Sequence, residues 1–286
     1  MVFKRFGISV MVVMIILNIH LAAQEKEAPK FGWKNEIVGN LNFTQSSFSN
    51  WSQGGEDSWN WQLDLNGKFE NDQPMYNWAT TGKISYGKTK IAGEVSKKTT
   101  DEVHLESVFT YKLGVYVNPY VAVTGETQLS AGFDFSSDPR VKISTFLDPG
   151  YFTESLGLGY EPIKDFKTRV GVALKQTVAD QFAALYSDDP ATLNTVETVR
   201  SEAGMESVTD FSRKVSENIL FTTKLELFSN LKSVDEVDVR WDNILAAKVS
   251  KYIAVSFNVK LFYDRDISVQ RQLKQVLAAG LTYTFL

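Results

Sequence analysis

The stretch Asp101-Glu102-Val103-His104-Leu105-Glu106-Ser107-Val108-Phe109-Thr110-Tyr111-Lys112-Leu113-Gly114-Val115-Tyr116-Val117 alternates along its whole length. Val103, Leu105, Phe109, Tyr111, Leu113, Val115 and Val117 take the odd positions, while His104, Glu106, Thr110 and Lys112 take even ones. Successive side chains of a strand point to opposite faces, so this period of two gathers the apolar residues on one side and the charged ones on the other. A helix would mix the two sets.

The same pattern recurs in both directions from this stretch. Trp59, Trp61, Leu63, Leu65 and Phe69 oppose Gln62, Asp64, Asn66, Lys68 and Glu70. Farther on, Val237, Val239, Trp241 and Leu245 oppose Asp238, Arg240 and Asp242, and Ile253, Val255, Phe257 and Val259 oppose Ser256, Asn258 and Lys260. A further strand is expected to carry Val121 and Val123 on through Leu129, Ala131, Phe133 and Phe135. About twelve such segments begin near residues 33, 58, 75, 101, 120, 151, 166, 196, 217, 237, 252 and 272, each close to the length a tilted strand needs to cross a bilayer. Short connections are expected at Asp72-Gln73-Pro74, Asn118-Pro119, Glu161-Pro162, Ser212-Arg213-Lys214 and Ser250-Lys251. Longer ones cover residues 47–57, 92–100, 136–150, 181–195, 230–236 and 265–271.

An even number of strands, with short turns at one end and long loops at the other, predicts an all-β fold: a transmembrane, antiparallel, up-and-down β-barrel of about twelve strands. Its expected location is the bacterial outer membrane, with both termini periplasmic. A soluble β-sandwich also alternates, but its apolar face points inward and its connections need not alternate in length. Trp33, Trp59, Trp61, Tyr76, Trp78 and Trp241 fall toward strand ends on the apolar face, as the aromatic girdles of a membrane barrel do.

Composition fits that reading. Aromatic residues make up 13% of the chain, and the net charge of −4 gives no basic face for nucleic acid. Cysteine is absent, which excludes disulfides, thiolate catalysis and Cys-ligated zinc. Lys4 and Arg5 precede an apolar run over residues 6–17, and Ala22-Ala23 then precede a charged stretch. That order predicts a secretory signal peptide over residues 1–23, followed by a periplasmic segment over 24–32 and the barrel over 33–286. At the other end, Leu281, Tyr283 and Phe285 alternate like the terminal strand that outer-membrane proteins present to the barrel assembly machinery, although Leu286 follows the Phe.

The segment Phe48-Ser49-Asn50-Trp51-Ser52-Gln53-Gly54-Gly55-Glu56-Asp57-Ser58, with Trp33 and the preceding strand Gly39-Asn40-Leu41-Asn42-Phe43-Thr44-Gln45, resembles an uncharacterised family of Bacteroidota outer-membrane proteins, the domain of unknown function 3078. The resemblance implies an outer-membrane barrel over nearly the whole mature chain and no established activity. Physically, Gly54-Gly55 permits positive φ in the first long loop. Asn50 and Trp51 either cap that loop or plug the mouth, and a structural turn is the simpler reading.

Few residues suggest reaction chemistry. Of two histidines, His20 falls in the signal segment and His104 on the charged face. No nucleophile elbow, phosphate loop or metal-binding His cluster is present, so neither an enzyme nor a cofactor is expected. Asp188-Asp189 and Asp235-Glu236-Asp238 are oxygen-rich loop segments, without the spacing of a calcium loop.

The charged face is expected to line the lumen, with His104, Lys112, Glu126, Arg169, Lys175 and Arg200 as candidate pore residues. Arg169, Lys175 and Arg200 on neighbouring strands form either a basic strip that attracts anions or one side of a salt-bridged filling. About twelve strands enclose a narrower space than the 16–18 of general porins, so mixed charges should constrict it. The expected function is a narrow channel or substrate-specific transporter. The alternative is a closed accessory barrel that offers its wall or loops to an envelope partner, with outer-membrane lipid around either. A lipid-modifying enzyme comes third.

Overall fold

The structure, a computed structural model, describes residues 31–49, 53, 55–189, 192, 194–232, 237–265 and 270–285. The signal-peptide segment, residues 24–30, Asn50, Trp51 and Gly54 lie outside them. In chain order the strands are β1 (Gly32–Ser46), β2 (Ser58–Asp72), β3 (Tyr76–Ile91), β4 (Lys97–Tyr111), β5 (Val117–Thr127), β6 (Gly132–Asp134), β7 (Val141–Ser144), β8 (Gly150–Ile163), β9 (Phe166–Val178), β10 (Val199–Lys214), β11 (Ile219–Asn230), β12 (Val237–Lys248), β13 (Ile253–Tyr263) and β14 (Gln272–Thr284). A single helical turn, α1 (Ala183–Tyr186), lies between β9 and β10. Twelve of the strands form a closed antiparallel barrel in which each pairs with its neighbour and β14 returns to β1, while β6 and β7 make a separate hairpin.

The faces of the wall settle its orientation. On β4, Leu105 is 55% exposed and Phe109 41%, whereas the intervening Glu106 is only 8% exposed. Apolar residues outside and charges inside invert the soluble pattern, which excludes the sandwich and matches an outer-membrane barrel. Hydroxyls on the outer face satisfy one another. Ser107 Oγ lies 2.9 Å from Thr80 Oγ1 and accepts the Trp78 indole N–H at 2.9 Å, and Thr168 and Thr209 join their hydroxyls at 2.8 Å. Such pairing is needed where no water can replace a partner. Aromatics cluster near both rims. By the turns Tyr76 stacks on Phe109 at 5.5 Å and Trp33 meets Trp78 at a tilt at 6.3 Å, and by the loops Trp61 meets Tyr86 at a tilt at 5.8 Å.

Several connections differ from the sequence expectation, each for a local reason. Asn118-Pro119 lies inside β5, and the turn before it spans 112–116. Asn118 shapes that turn from the strand: its Oδ1 accepts the Leu113 N–H at 2.7 Å, and Gly114 supplies a φ of 79°. Pro119 is tolerated because the β4 ladder begins only at Thr110 with Tyr120, so its missing N–H breaks no bond there. Glu161-Pro162 falls inside β8 at a register shift between Tyr160 and Ile163, a bulge that accommodates proline. Ser212-Arg213-Lys214 completes β10, and the chain turns over 215–218.

The largest difference follows Thr127. The predicted continuation of β5 to Phe135 leaves the wall there and folds into the β6–β7 hairpin. Asp101 on β4 draws the chain aside, accepting the N–H groups of Leu129 and Ser130 at 2.6 and 2.9 Å. The hairpin loop and the β9–β10 loop are then joined by Asp148, which accepts N–H groups of Asp180 and Gln181 at 3.0 and 2.9 Å.

Candidate functional site

The inner wall carries alternate residues of every strand, and their charges organise into a belt across the lumen. Lys224 on β11 reaches Glu106 on β4 at 2.8 Å. Arg240 on β12 pairs with Glu126 on β5, and Lys260 on β13 lies 3.4 Å from Glu102 on β4. In each pair the two strands stand five places apart around the ring of twelve, one short of opposite. Carboxylates of β4 and β5 therefore bind cations of β11, β12 and β13 straight across the barrel.

Neighbouring groups complete the belt. Arg169 donates to Glu106 at 2.5 Å and lies 3.5 Å from Glu206, which also accepts the Ser155 hydroxyl at 2.6 Å. Lys224 has a second carboxylate in Glu226 at 2.9 Å, and Glu102 a second lysine in Lys83 at 3.3 Å. Removing these charges from water is costly, and only a network in which each ion has several partners offsets that cost.

The candidate residues from the sequence take distinct places in this arrangement. Arg169 and Glu126 stand in the belt, and His104 Nδ1 lies 3.7 Å from Glu126 Oε2 on the lumen side. Lys175 sits nearer the loops, enclosed by Asp238 at 2.6 Å, Asp264 at 2.9 Å and Glu202 at 3.9 Å. Arg200 reaches Glu202 at 3.2 Å. Of the two readings left open for Arg169, Lys175 and Arg200, the salt-bridged filling is the one found. The basic strip does not form, because each cation is met by carboxylates from other positions. Lys112 is at the turn end, bonded to Asp72 at 2.5 Å and to the Gln73 carbonyl at 2.8 Å, and lies apart from the belt. Gly55 has a φ of 137°, and a Cβ there would approach the Phe48 ring at 2.7 Å. Asp238, from the acidic loop segment, serves Lys175.

Sequence reading missed a second device. Tyr120 on β5 is 4% exposed, and its side chain lies along the inner wall toward β10, with its hydroxyl 3.5 Å from Glu206. Its path crosses Gly157 on β8 and Gly171 on β9, which are ladder partners. A methyl group on Gly171 would lie 2.7 Å from the Tyr120 hydroxyl and 2.2 Å from the Leu156 carbonyl oxygen. The only available signal was glycine at inward positions of two adjoining strands, where a strand interior normally disfavours it.

The belt leaves free space unevenly. A cavity of about 310 Å³ runs along β1–β3 and β12–β14, lined by amides such as Asn40, Asn42 and Gln62, by small residues such as Ala254, and by charged groups that include Glu102 and Lys260 of the belt. Another, of about 250 Å³, lies on the turn side, below Glu106, Arg169 and Lys224. Within the belt itself about 190 Å³ remains. One half of the barrel is thus filled by ion pairs, while the other keeps a cavity in which amides and small side chains alternate with charges such as Asp64, Asp242 and Lys274.

Comparison with known proteins adds the following. Residues 43–133 match the family model described as "Protein of unknown function (DUF3078)". No curated protein sequence matches the chain. Among solved structures, the translocator domain of autotransporter NalP from Neisseria meningitidis is 10% identical, with 90% of each chain covered and a TM-score of 0.39. The COG4313 outer membrane channel from Pseudomonas putida F1 is 9% identical, covering 90% of this chain and 96% of that one, with a TM-score of 0.40. The NanC porin is 10% identical, covering 87% and 96%, with a TM-score of 0.37. Likenesses of this degree carry no statement about solute, pore width or partner.

Proposed function

We propose that this chain is a narrow, selective channel or transporter of a bacterial outer membrane, as its resemblance to the Bacteroidota family also implies, with both termini periplasmic and the long loops outside. The observation that carries this reading is the uneven lumen. Three cross-barrel ion pairs obstruct one side, and a cavity of about 310 Å³ lined by amides, small residues and a few charges adjoins them. A path confined to the amide side would pass small polar solutes and reject larger ones, because pore width and lining donors set selectivity. Planar-bilayer recording of the purified protein tests it: a small, steady conductance is expected, and a silent barrel would overturn the reading.

The second reading, a non-conducting accessory barrel, is favoured by the same ion pairs, since they tie opposite walls together. An envelope protein that co-purifies in fixed ratio after mild detergent extraction, together with silence in the bilayer, would favour it. No catalysis is proposed, because His104 is bound to Glu126 inside the lumen, away from the lipid that a barrel lipase must reach.

A further inference from the structure

The ladder that closes the ring is short. β1 and β14 pair only from Val38 with Thr284 to Asn42 with Gly280, plus the Phe285 N–H donating to the Ile37 carbonyl at 2.8 Å. Toward the loop end both strands continue without each other. Residues 43–46 of β1 pair with β2 alone, and residues 272–279 of β14 pair with β13 alone. In a bilayer an unpaired backbone group costs several kcal/mol unless protein or a water-filled cavity satisfies it. The comparable edge of β4 above Val103 is covered by the chain after Thr127, through Asp101. Among the described residues no such cover lies over the β1–β14 gap.

What lies on either side of the gap gives it a chemistry. Outside, Phe43, Leu273 and Leu277 flank it, Leu277 being 76% exposed. Inside is the cavity of about 310 Å³, whose lining includes Leu281. Val276 and Ala278, on the part of β14 that β1 leaves unpaired, also line this cavity, so it borders the gap from the inside. Lys274, on the unzipped part of β14, bonds to the Thr100 hydroxyl at 2.9 Å, and among the described residues no carboxylate is within ion-pair distance of it. Asp242, across the cavity, is held by the neutral Asn258 amide at 2.9 Å. Among the described residues, the cavity thus offers a cation and an anion with no opposite charge within ion-pair distance, behind an apolar slot.

We propose that the open upper part of the β1–β14 seam is a lateral entrance for a membrane lipid with a zwitterionic, phosphate-bearing head. The phosphate meets Lys274 and the ammonium faces Asp242, while the acyl chains remain outside against Phe43, Leu273 and Leu277. A lipid is favoured over a soluble phosphate because the slot is apolar on its outer side and its unpaired strands border the cavity. The proposal goes beyond conduction and stands whether or not the barrel passes current.

The absence of cysteine makes the seam directly testable. Continuing the ladder register places Thr44 opposite Ala278, so Thr44→Cys with Ala278→Cys can be oxidised to lock the seam. The readout is native mass spectrometry of the full barrel released from vesicles of phosphatidylethanolamine. One bound lipid is expected on the wild type, none on the oxidised lock, and recovery on reduction, which also shows that the locked variant is folded. Lys274→Gln should weaken retention roughly ten- to a hundredfold, the worth of one charge-assisted bond. Equal retention by the oxidised lock, or by Lys274→Gln in a barrel of unchanged heat resistance, would overturn the proposal. Displacement of the lipid by millimolar inorganic phosphate would overturn it too, by showing a soluble-anion site.

Discussion

Replacing Glu106 with Gln tests the belt most directly. Glu106 is 8% exposed and bridges Arg169 at 2.5 Å and Lys224 at 2.8 Å, so the substitution turns amide hydrogens toward one or both cations. Removing one partner of a buried pair costs about 3–5 kcal/mol. Here the loss is smaller, because Arg169 keeps Glu206 at 3.5 Å and Lys224 keeps Glu226 at 2.9 Å. A destabilisation of about 2–3 kcal/mol is therefore expected for Glu106→Gln alone. Adding Lys224→Met removes a cation that has lost one carboxylate but leaves Glu226 without its lysine, so a coupling of only about 1 kcal/mol is expected. Denaturant unfolding in phospholipid vesicles, followed by tryptophan fluorescence, measures all corners of the cycle. A single-variant loss below about 0.5 kcal/mol would refute the argument, since it would mean that water screens the pairs as it does on a protein surface. The belt would then be a hydrated fringe rather than an obstruction.

Further outcomes follow from other contacts. In planar bilayers the double variant Glu106→Gln, Lys224→Met should conduct more than the wild type, because one cross-lumen tie is gone; unchanged current would place the path elsewhere. Gly171→Ala should lower the folded yield, judged by heat-dependent gel migration, and Tyr120→Phe should not rescue it, since the clash with the Leu156 carbonyl remains. Ser107→Ala leaves the Trp78 N–H and the Thr80 hydroxyl without their partner on the lipid face, at a cost of about 1–3 kcal/mol in the same unfolding assay. Asp148→Ala removes the acceptor that holds Asp180 and Gln181 and should speed protease cleavage within residues 179–198, while the barrel stays intact. His104→Ala should leave lipid hydrolysis at background, and a loss of measured lipase activity would revive the enzymatic reading.

The strands were legible because alternation is local: each residue needs only its neighbour to define a face. The stretch around Leu105 and Glu106 fixed its two faces without any partner in view. The ends of the segments were less legible, because proline and asparagine mark turns only on average. Asn118 did shape a turn, but from inside the following strand, and Pro162 marked a bulge rather than a reversal. Residues 128–135 alternate as well as any strand, yet Asp101, on a strand distant in sequence, draws them out of the wall.

The sequence by itself determined the class of fold, the number of crossings and the placing of charge on the inner face, all of which depend on period and length. Only the tertiary structure decided which charges meet. Glu106 and Lys224 are far apart in the chain and on strands five places apart, so their contact depends on ring closure and on the stagger accumulated from strand to strand. The same closure turned a would-be basic strip into ion pairs, laid Tyr120 across two glycines and left the seam between the first and last strands zipped over only part of its height. Neighbours in sequence carry no information about any of these, because each is set by the geometry of the closed ring.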